Sequence, residues 1–157
     1  MERTREDAFI ETVRQDRERL YRVAISIVSS REDAEDAVSA ATEQTWKYLQ
    51  HIQNPDKLSV YLMRCTVNAA RSILRKRKIT ESIDDYAGIL AAPHAGTPVR
   101  EYVSGLKEKY RLPVILKFQE NLREEDIAAV LQLPRGTVST RITRALKMLR
   151  IETGKEE

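Results

Sequence analysis

The sequence predicts an all-α protein made of two small helical domains joined by a linker. Apolar residues recur at steps of three and four through residues 6–78 and again from residue 99, which is the period of an amphipathic helix. No segment alternates apolar and polar residues as a half-buried strand does. Residues 79–98 hold two of the five prolines and two of the five glycines, with no sustained period. We therefore expect domains at residues 1–78 and 99–157 and a linker at residues 79–98.

The N-terminal domain is expected to be a bundle of three or four helices. The first helix, over residues 6–28, has an inward apolar face made of Phe9, Val13, Leu20, Val23 and Ile27. Ser30 is a capping residue before an acidic first turn, so we expect a second helix over residues 31–51. Pro55 suits a first helical turn and predicts a third helix over residues 57–78.

The C-terminal domain is expected to end in a short helix, a tight turn and a longer basic helix. The spacing predicts helices over residues 107–121, 124–131 and 137–150, with Pro113 bending or restarting the first of them. A short helix, a tight turn and a second helix are the helix-turn-helix pattern of DNA-binding proteins. We expect Gly136 to allow the sharp turn and Thr137 to cap the last helix.

The last predicted helix separates into an apolar face and a polar face. Four apolar residues fall at steps of four, three and four and form one stripe, namely Val138, Ile142, Ala145 and Leu149. The other face offers short hydroxyls and cations, which suit base edges and phosphates in a major groove. The residues predicted to contact duplex DNA are Arg135, Thr137, Ser139, Thr140, Arg141, Thr143, Arg144 and Lys147.

Charge is distributed unevenly along the chain, although the net charge of +3 is mild. Residues 57–80 hold seven basic residues and residues 127–151 hold five, and neither stretch contains any of the 24 acids. Acids there would repel a phosphate backbone, which favours a nucleic acid as the partner. The alternative for an isolated basic run is a solvated face, and the helix-turn-helix context favours DNA binding over it. Acidic residues collect instead over residues 31–43.

The composition argues against an enzyme, a metal site and a membrane protein. One cysteine and two histidines provide no plausible set of zinc ligands, and no Gly-rich phosphate loop occurs. We expect no cofactor and no small-molecule substrate. Asp84 and Asp85 are the only loose candidates for a nuclease metal site. The N-terminus lacks the apolar core of a signal peptide and no segment is apolar enough to span a membrane, so we expect a cytoplasmic protein without membrane insertion.

The chain resembles the extracytoplasmic-function group of bacterial sigma factors over most of residues 6–150. In the first half the matching stretches are Asp33-Ala34-Glu35-Asp36-Ala37-Val38, Tyr61-Leu62 and Arg75-Lys76-Arg77. In the second half they are Glu125-Asp126-Ile127-Ala128, Gly136-Thr137-Val138 and Arg144-Ala145. The resemblance implies a promoter-recognition subunit of RNA polymerase, with sigma region two before the linker and sigma region four after it.

The resemblance also implies roles for individual residues. It places contacts to the clamp helices of core polymerase at Asp33, Glu35, Asp36 and Ser39. It places the minus-ten and single-stranded DNA at Asn54, Lys57, Tyr61, Arg64, Asn68, Arg71, Arg75 and Lys76. It places reading of the minus-thirty-five duplex on the last helix. Tyr61, Trp46 and Tyr48 are the aromatics available for base stacking, and core packing is the alternative favoured for Trp46.

Some positions depart from the family's pattern. The family often has Gln-Glu where this chain has Ser39-Ala40, Trp where it has Tyr61, and Lys or Arg where it has Ser139. The Ser39-Ala40 departure motivates an alternative, a sigma-like helix-turn-helix regulator that binds DNA but not core polymerase. The resemblance also implies regulation by an anti-sigma factor.

Overall fold

The computed structural model describes residues 4–80 and 98–153, which belong to two compact helical units. No strand occurs in these two stretches, as the helical period predicts. The helices of the N-terminal unit are α1 (Arg5–Val28), α2 (Arg31–Lys47) and α3 (Leu58–Thr80), with 3-10 turns at Leu49–His51 and Pro55–Lys57. Each of the three α-helices packs against the other two, so this unit is a three-helix bundle in its described part.

Side-chain caps define where the first two helices begin. The Thr4 hydroxyl accepts a hydrogen bond from the Asp7 N–H at 3.0 Å, and the Asp7 carboxylate accepts from the Thr4 N–H at 3.4 Å, which completes a capping box. Ser29 ends α1 in the left-handed region with φ 58°. Ser30 then accepts a hydrogen bond from the Asp33 N–H, which confirms its predicted role as the cap of α2.

The second helix is shorter than the sequence predicts. It ends at Lys47, and the chain tightens through Tyr48 into the 3-10 turn Leu49–His51 instead of continuing as an α-helix to residue 51. Packing explains the change, because Leu49 is buried in a small cluster with Phe9 and Leu58. The tighter turn brings Leu49 inward and leaves Tyr48 exposed beside it.

The C-terminal unit contains α4 (Pro98–Tyr102), α5 (Glu108–Val114), a π-helical turn (Ile115–Gln119), α6 (Glu124–Leu131) and α7 (Arg135–Thr153). Pro113 lies inside α5, and the helix passes into the wider π turn directly after it, consistent with a backbone donor lost at proline. The predicted stripe of α7 is buried. Its residues Ala145 and Leu149 pack with Val103, Leu106, Val114 and Ile115.

The turn between α6 and α7 differs from the prediction in two respects. The left-handed residue is Gln132, with φ 56°, and not Gly136, which lies inside α7. Thr137 is also helical, and its N–H donates to the Pro134 carbonyl at 3.0 Å, so Thr137 does not cap α7. The helix begins at Arg135, two residues earlier than predicted, and the Pro134 carbonyl accepts hydrogen bonds from the Thr137 and Val138 N–H groups of its first turn.

The predicted linker falls mostly outside the described residues. Helix α3 continues through Thr80, two residues past its predicted end, and α4 begins at Pro98. Residues 81–97, including the acidic pair Asp84 and Asp85, are outside the described part of the chain. Within the described part, every helix is too short or too polar to cross a lipid bilayer.

Candidate functional site

Helix α2 carries an acidic face that is open to solvent. Ala34, Ala37 and Ala41 are buried against the bundle, and their small side chains let α2 lie close to its neighbours. Glu35, Asp36 and Ser39 are exposed on the other side of the helix. Three of the four positions assigned to polymerase contact are therefore available to a protein partner.

The fourth position, Asp33, is in a different environment. Its side chain faces the bundle, only 6% of the residue is exposed, and its carboxylate accepts hydrogen bonds from the Arg77 guanidinium of α3. One of these bonds, from Arg77 Nη2 to Asp33 Oδ1, measures 3.1 Å. A buried carboxylate needs such a charged partner, so the pair holds the start of α2 against the end of α3.

A groove of about 870 Å³ runs along the exposed face between α1 and α2. Its walls carry both signs of charge, since arginines of both helices line it together with Glu18 of α1 and Glu35 of α2. The lining includes Arg17, Tyr21, Arg22, Arg31, Glu35 and Ser39. Two of the predicted polymerase-contact residues, Glu35 and Ser39, therefore line the same groove as residues of α1.

Three of the six basic residues of α3 lie along one strip. The predicted single-strand residues Tyr61, Arg64, Asn68, Arg71 and Arg75 follow at steps of three and four, which places them on one helical face. Leu62, Met63, Thr66, Val67 and Ala70 fill the other face and are buried. From Tyr61 to Arg75 the strip is about 21 Å long, at about 1.5 Å per residue. Lys76 is exposed beside its end.

Aromatic rings stack where the strip begins. The rings of Tyr48 and Tyr61 lie 5.4 Å apart and nearly parallel at 5°, and His51 stacks on Tyr48 at 4.8 Å. The Arg64 guanidinium lies 5.7 Å from the centre of the Tyr61 ring. The result is a stack of flat side chains at the junction of the 3-10 turns and α3, with the Arg64 guanidinium beside it.

Burial also changes the ionisation of this junction. It raises the pKa of the Tyr61 phenol, with a further contribution from neighbouring Cys65. Burial likewise raises the pKa of the Cys65 thiol. Both groups are therefore neutral at physiological pH, and no negative charge develops on the basic strip at that point.

The segment before α3 and the first turn of α3 are held against α1 by side chains that the sequence motifs do not indicate. Arg5 Nη1 donates to the carbonyls of Leu49 at 3.3 Å and Gln50 at 3.4 Å, and also to that of Ile52. The Ser59 hydroxyl donates to Asp16 on α1. At the other end of the segment, Asn54 is exposed and its side chain accepts from the Asp56 N–H at 3.0 Å. Lys57 is also exposed.

In the C-terminal unit, α7 presents its polar face to solvent. Arg135, Thr140, Thr143, Arg144 and Lys147 are exposed. The half-buried residues of the predicted set are Thr137, Ser139 and Arg141. Ser139 differs from the others because its hydroxyl donates to Glu124, the first residue of α6. Lys117 of the π turn donates to the second oxygen of the same carboxylate at 2.8 Å.

Comparison with known proteins assigns both units. Residues 12–79 match the model of "Sigma-70 region 2" and residues 97–149 match "Sigma-70, region 4". The chain is 30% identical over 142 residues to "RNA polymerase sigma factor SigV" of Bacillus subtilis, covering 87% of this chain and 86% of that protein. It is 25% identical over 165 residues to "ECF RNA polymerase sigma factor SigW" of the same organism, covering 92% and 88%.

The chain belongs to the extracytoplasmic-function group of RNA polymerase sigma factors. This confirms the family that the sequence motifs indicate, and with it a transcription initiation factor that is not an enzyme. A solved structure supports the fold with a TM-score of 0.76 at 23% identity, over 95% of this chain and 98% of that one. That structure is the sigma factor RpoE in complex with the anti-sigma factor NepR from Bartonella quintana.

One aromatic residue of this sigma factor lies where the sequence did not predict it. The sequence predicts core packing for Trp46, but its side chain is on the surface and 50% of the residue is exposed. One part of the ring rests on Phe9, with ring centres 5.2 Å apart, and the rest faces solvent. Thr45 in the same turn is fully buried, so this turn packs on the bundle and Trp46 lies on its outer side, where it covers Phe9 without being enclosed.

Proposed function

We propose that this sigma factor binds core polymerase through the exposed face of α2, with Glu35, Asp36 and Ser39 as direct contacts. Their exposure supports this role, and the adjoining groove offers a protein partner both charge and apolar surface. Asp33 acts as a positioning residue, because its carboxylate is already engaged by Arg77. Core polymerase, through its clamp helices, is the partner that the family resemblance implies for this face.

We propose that α3 and the segment before it bind the minus-ten element as single-stranded DNA. The strip of basic and amide side chains gives the phosphates a continuous track, and the stacked rings beside it suit unpaired bases. The contributing residues are Asn54, Lys57, Tyr61, Arg64, Asn68, Arg71, Arg75 and Lys76. The Tyr48 ring already stacks with both His51 and Tyr61, so we expect a base to stack on the outside of this group.

We propose that α7 reads the minus-thirty-five element in the major groove. The exposed hydroxyls and guanidinium of Thr140, Thr143 and Arg144 face away from the buried stripe, as base contacts require. Arg135, Thr137, Arg141 and Lys147 serve the flanking phosphates, and Ser139 lies at the edge of the reading face. The proposal rests on the observation that a single chain combines an exposed acidic helix face, a basic strip and a helix-turn-helix.

Run-off transcription tests this function directly. Purified protein and core polymerase are incubated with a library of promoters, and the transcripts are sequenced. We expect transcripts from a restricted set of promoters that share two sequence elements. Binding to promoter duplex without any binding to core polymerase would support the alternative, a regulator that does not act in initiation.

Replacing Arg144 tests the reading face. We expect Arg144→Ala to weaken binding of the cognate minus-thirty-five duplex by about 1–3 kcal/mol and to relax preference at one base pair, since a bidentate contact to a base edge is lost. Competition binding with duplexes changed at one position measures both effects. Lys147→Ala is the matched control, for which we expect equal loss on all sequences. Equal loss in Arg144→Ala would place that side chain on phosphate.

Replacing Arg75 and Lys76 together tests the single-strand strip. We expect the double alanine variant to bind the minus-thirty-five duplex normally but to form open complexes more slowly, because the melted strand loses two cationic contacts. Permanganate footprinting of the bubble measures the effect over time. A variant with Arg14→Ala and Lys47→Ala removes two exposed cations off the strip and should behave as the parent. An unchanged bubble in the first variant would contradict the assignment.

Three further proposals concern domain limits, location and regulation. We propose sigma region two at residues 1–78, a linker at 79–98 and sigma region four at 99–157, and we propose that the protein acts in the cytoplasm. Family resemblance also supports an anti-sigma factor as a partner, and the structurally similar RpoE was crystallised with one. Purification of the native protein from its cell tests this, since a partner at equal stoichiometry is expected and its consistent absence would count against the proposal.

A further inference from the structure

Glu124 and Ser139 form a contact that bears on which base the reading helix selects. Ser139 lies on α7 at the edge of the reading face, and Glu124 is the first residue of α6, 15 positions earlier in the chain. The Ser139 hydroxyl donates its hydrogen to Glu124 Oε1. The other carboxylate oxygen, Oε2, accepts from Lys117 Nζ at 2.8 Å. Both oxygens of the carboxylate are therefore engaged.

The charge state of Glu124 determines the direction of the bond to Ser139. The hydrogen bond from Lys117, followed by that from Ser139, lowers the pKa of the Glu124 carboxyl below its usual range. The group is ionised at physiological pH, and an ionised carboxylate only accepts hydrogen bonds. The Ser139 hydroxyl therefore donates its hydrogen to Glu124. Toward DNA it can act only as a hydrogen-bond acceptor, through its oxygen lone pairs.

Because its hydrogen is donated to Glu124, the Ser139 hydroxyl loses the dual donor and acceptor capacity that a serine normally has. A free hydroxyl both donates and accepts, so serine contacts any base without strong preference. In the major groove, hydrogen-bond donors are presented only by the amino groups of adenine and cytosine, whereas guanine and thymine present acceptors at the matching position. An oxygen that only accepts should favour adenine or cytosine. Thr140, one residue further on, shows the contrast, because its hydroxyl has no hydrogen-bond partner among the described residues.

The neighbours of Glu124 make a carboxylate tolerable near DNA. Lys117 compensates its charge directly and Arg135 adds a further favourable interaction. The acid is therefore part of a neutralised cluster and does not act as an isolated negative charge facing phosphate. The adjacent acid Glu125 is exposed and pairs with Arg123 at 2.9 Å, away from Ser139, which makes it a natural control.

We propose that Glu124 is a specificity-determining residue of the minus-thirty-five contact, which orients the Ser139 hydroxyl so that it accepts a hydrogen bond from the amino group of adenine or cytosine. The inference rests on the proposed reading function of α7. Glu124 acts through Ser139 and is a positioning residue, whereas Ser139 makes the contact to the base.

The test uses full-length protein with core polymerase and a promoter library randomised over the minus-thirty-five element, with bound sequences counted. For the parent we expect one position, on one strand, where adenine or cytosine exceeds guanine or thymine by about two- to tenfold, the range of one net hydrogen bond. Ser139→Ala should remove this excess at that position and leave the other positions unchanged. Glu125→Ala should retain the complete parental preference.

Glu124→Gln gives the sharpest outcome because it keeps the shape of the side chain. Lys117 has only donors, so the new amide must turn its oxygen toward Lys117 and its NH2 toward Ser139. Ser139 then accepts from the amide, its proton is released, and guanine or thymine should gain at the same position. Thermal unfolding verifies that each variant is folded. If Glu124→Gln does not fold, the comparison of Ser139→Ala with the parent still tests the inference.

The results separate this inference from the function on which it rests. A parent with no preference anywhere in the minus-thirty-five element overturns the reading function and the inference together. A parental preference that is unchanged in Ser139→Ala, or in folded Glu124→Gln, overturns the inference alone. A parental preference for guanine or thymine at the position that Ser139→Ala affects also overturns it.

Discussion

Reversing the charge of two residues on α2 is expected to weaken binding to core polymerase strongly. In a variant with Glu35→Arg and Asp36→Arg, two exposed acids become cations on the face that we propose as the docking surface. Placing like charges opposite each other across an interface costs several kcal/mol, so we expect affinity to fall on the order of 100-fold or more. Fluorescence anisotropy of labelled protein titrated with core polymerase measures the change.

The controls for this variant separate docking from folding and from total charge. Both side chains are exposed, so the free energy of unfolding should change by no more than about 0.5 kcal/mol. A variant with Glu6→Arg and Glu125→Arg makes the same change in net charge at exposed acids of α1 and α6, and should bind core polymerase as the parent does. Parental affinity in the α2 variant would exclude this face as the docking surface.

Removing Arg77 is expected to destabilise sigma region two more than removing its partner. In Arg77→Met the Asp33 carboxylate stays buried without its guanidinium, which should cost about 2–3 kcal/mol, discounted for the partial exposure of Arg77. In Asp33→Asn the released guanidinium turns to water, and a cost of about 1 kcal/mol is expected. Urea unfolding measures both as shifts of the midpoint at constant slope.

The double variant and a neighbouring control make this prediction specific. Because both partners act through one contact, Asp33→Asn combined with Arg77→Met should cost less than the sum of the single changes. Arg75→Met alters an exposed arginine two residues away and should change stability by no more than about 0.5 kcal/mol. Additive single effects would show that Arg77 stabilises the bundle through contacts other than Asp33.

The sequence groups Asp33 with Glu35 and Asp36, but the structure buries Asp33 and leaves the other two exposed. The motif predicts an acidic helix, and composition alone treats Asp33, Glu35 and Asp36 alike. A signal for the difference was present, because Asp33 lies four residues before Ala37 and eight before Ala41, on the apolar side of the helix. Identifying the partner was not possible, since Arg77 lies 44 residues away in the chain.

The helical class, the helix-turn-helix, the two basic segments and the family could all be predicted from the amino-acid sequence. These features depend on local period, capping and composition, which act over a few residues, and the structure confirms the capping role of Ser30 and the buried stripe of α7. The helix boundaries differ from the prediction at the end of α2, where the burial of Leu49 overrides local propensity, and at the start of α7, which lies at Arg135.

The contacts of individual polar and aromatic side chains could be identified only from the folded structure. It buries Asp33 against Arg77, leaves Trp46 on the surface, stacks Tyr48 on Tyr61, and directs the Ser139 hydroxyl to Glu124. Each of these outcomes depends on helices that meet after folding. A hydrogen bond or a stacked pair depends on distances of a few ångströms between separate elements, and no local pattern in the chain encodes those distances.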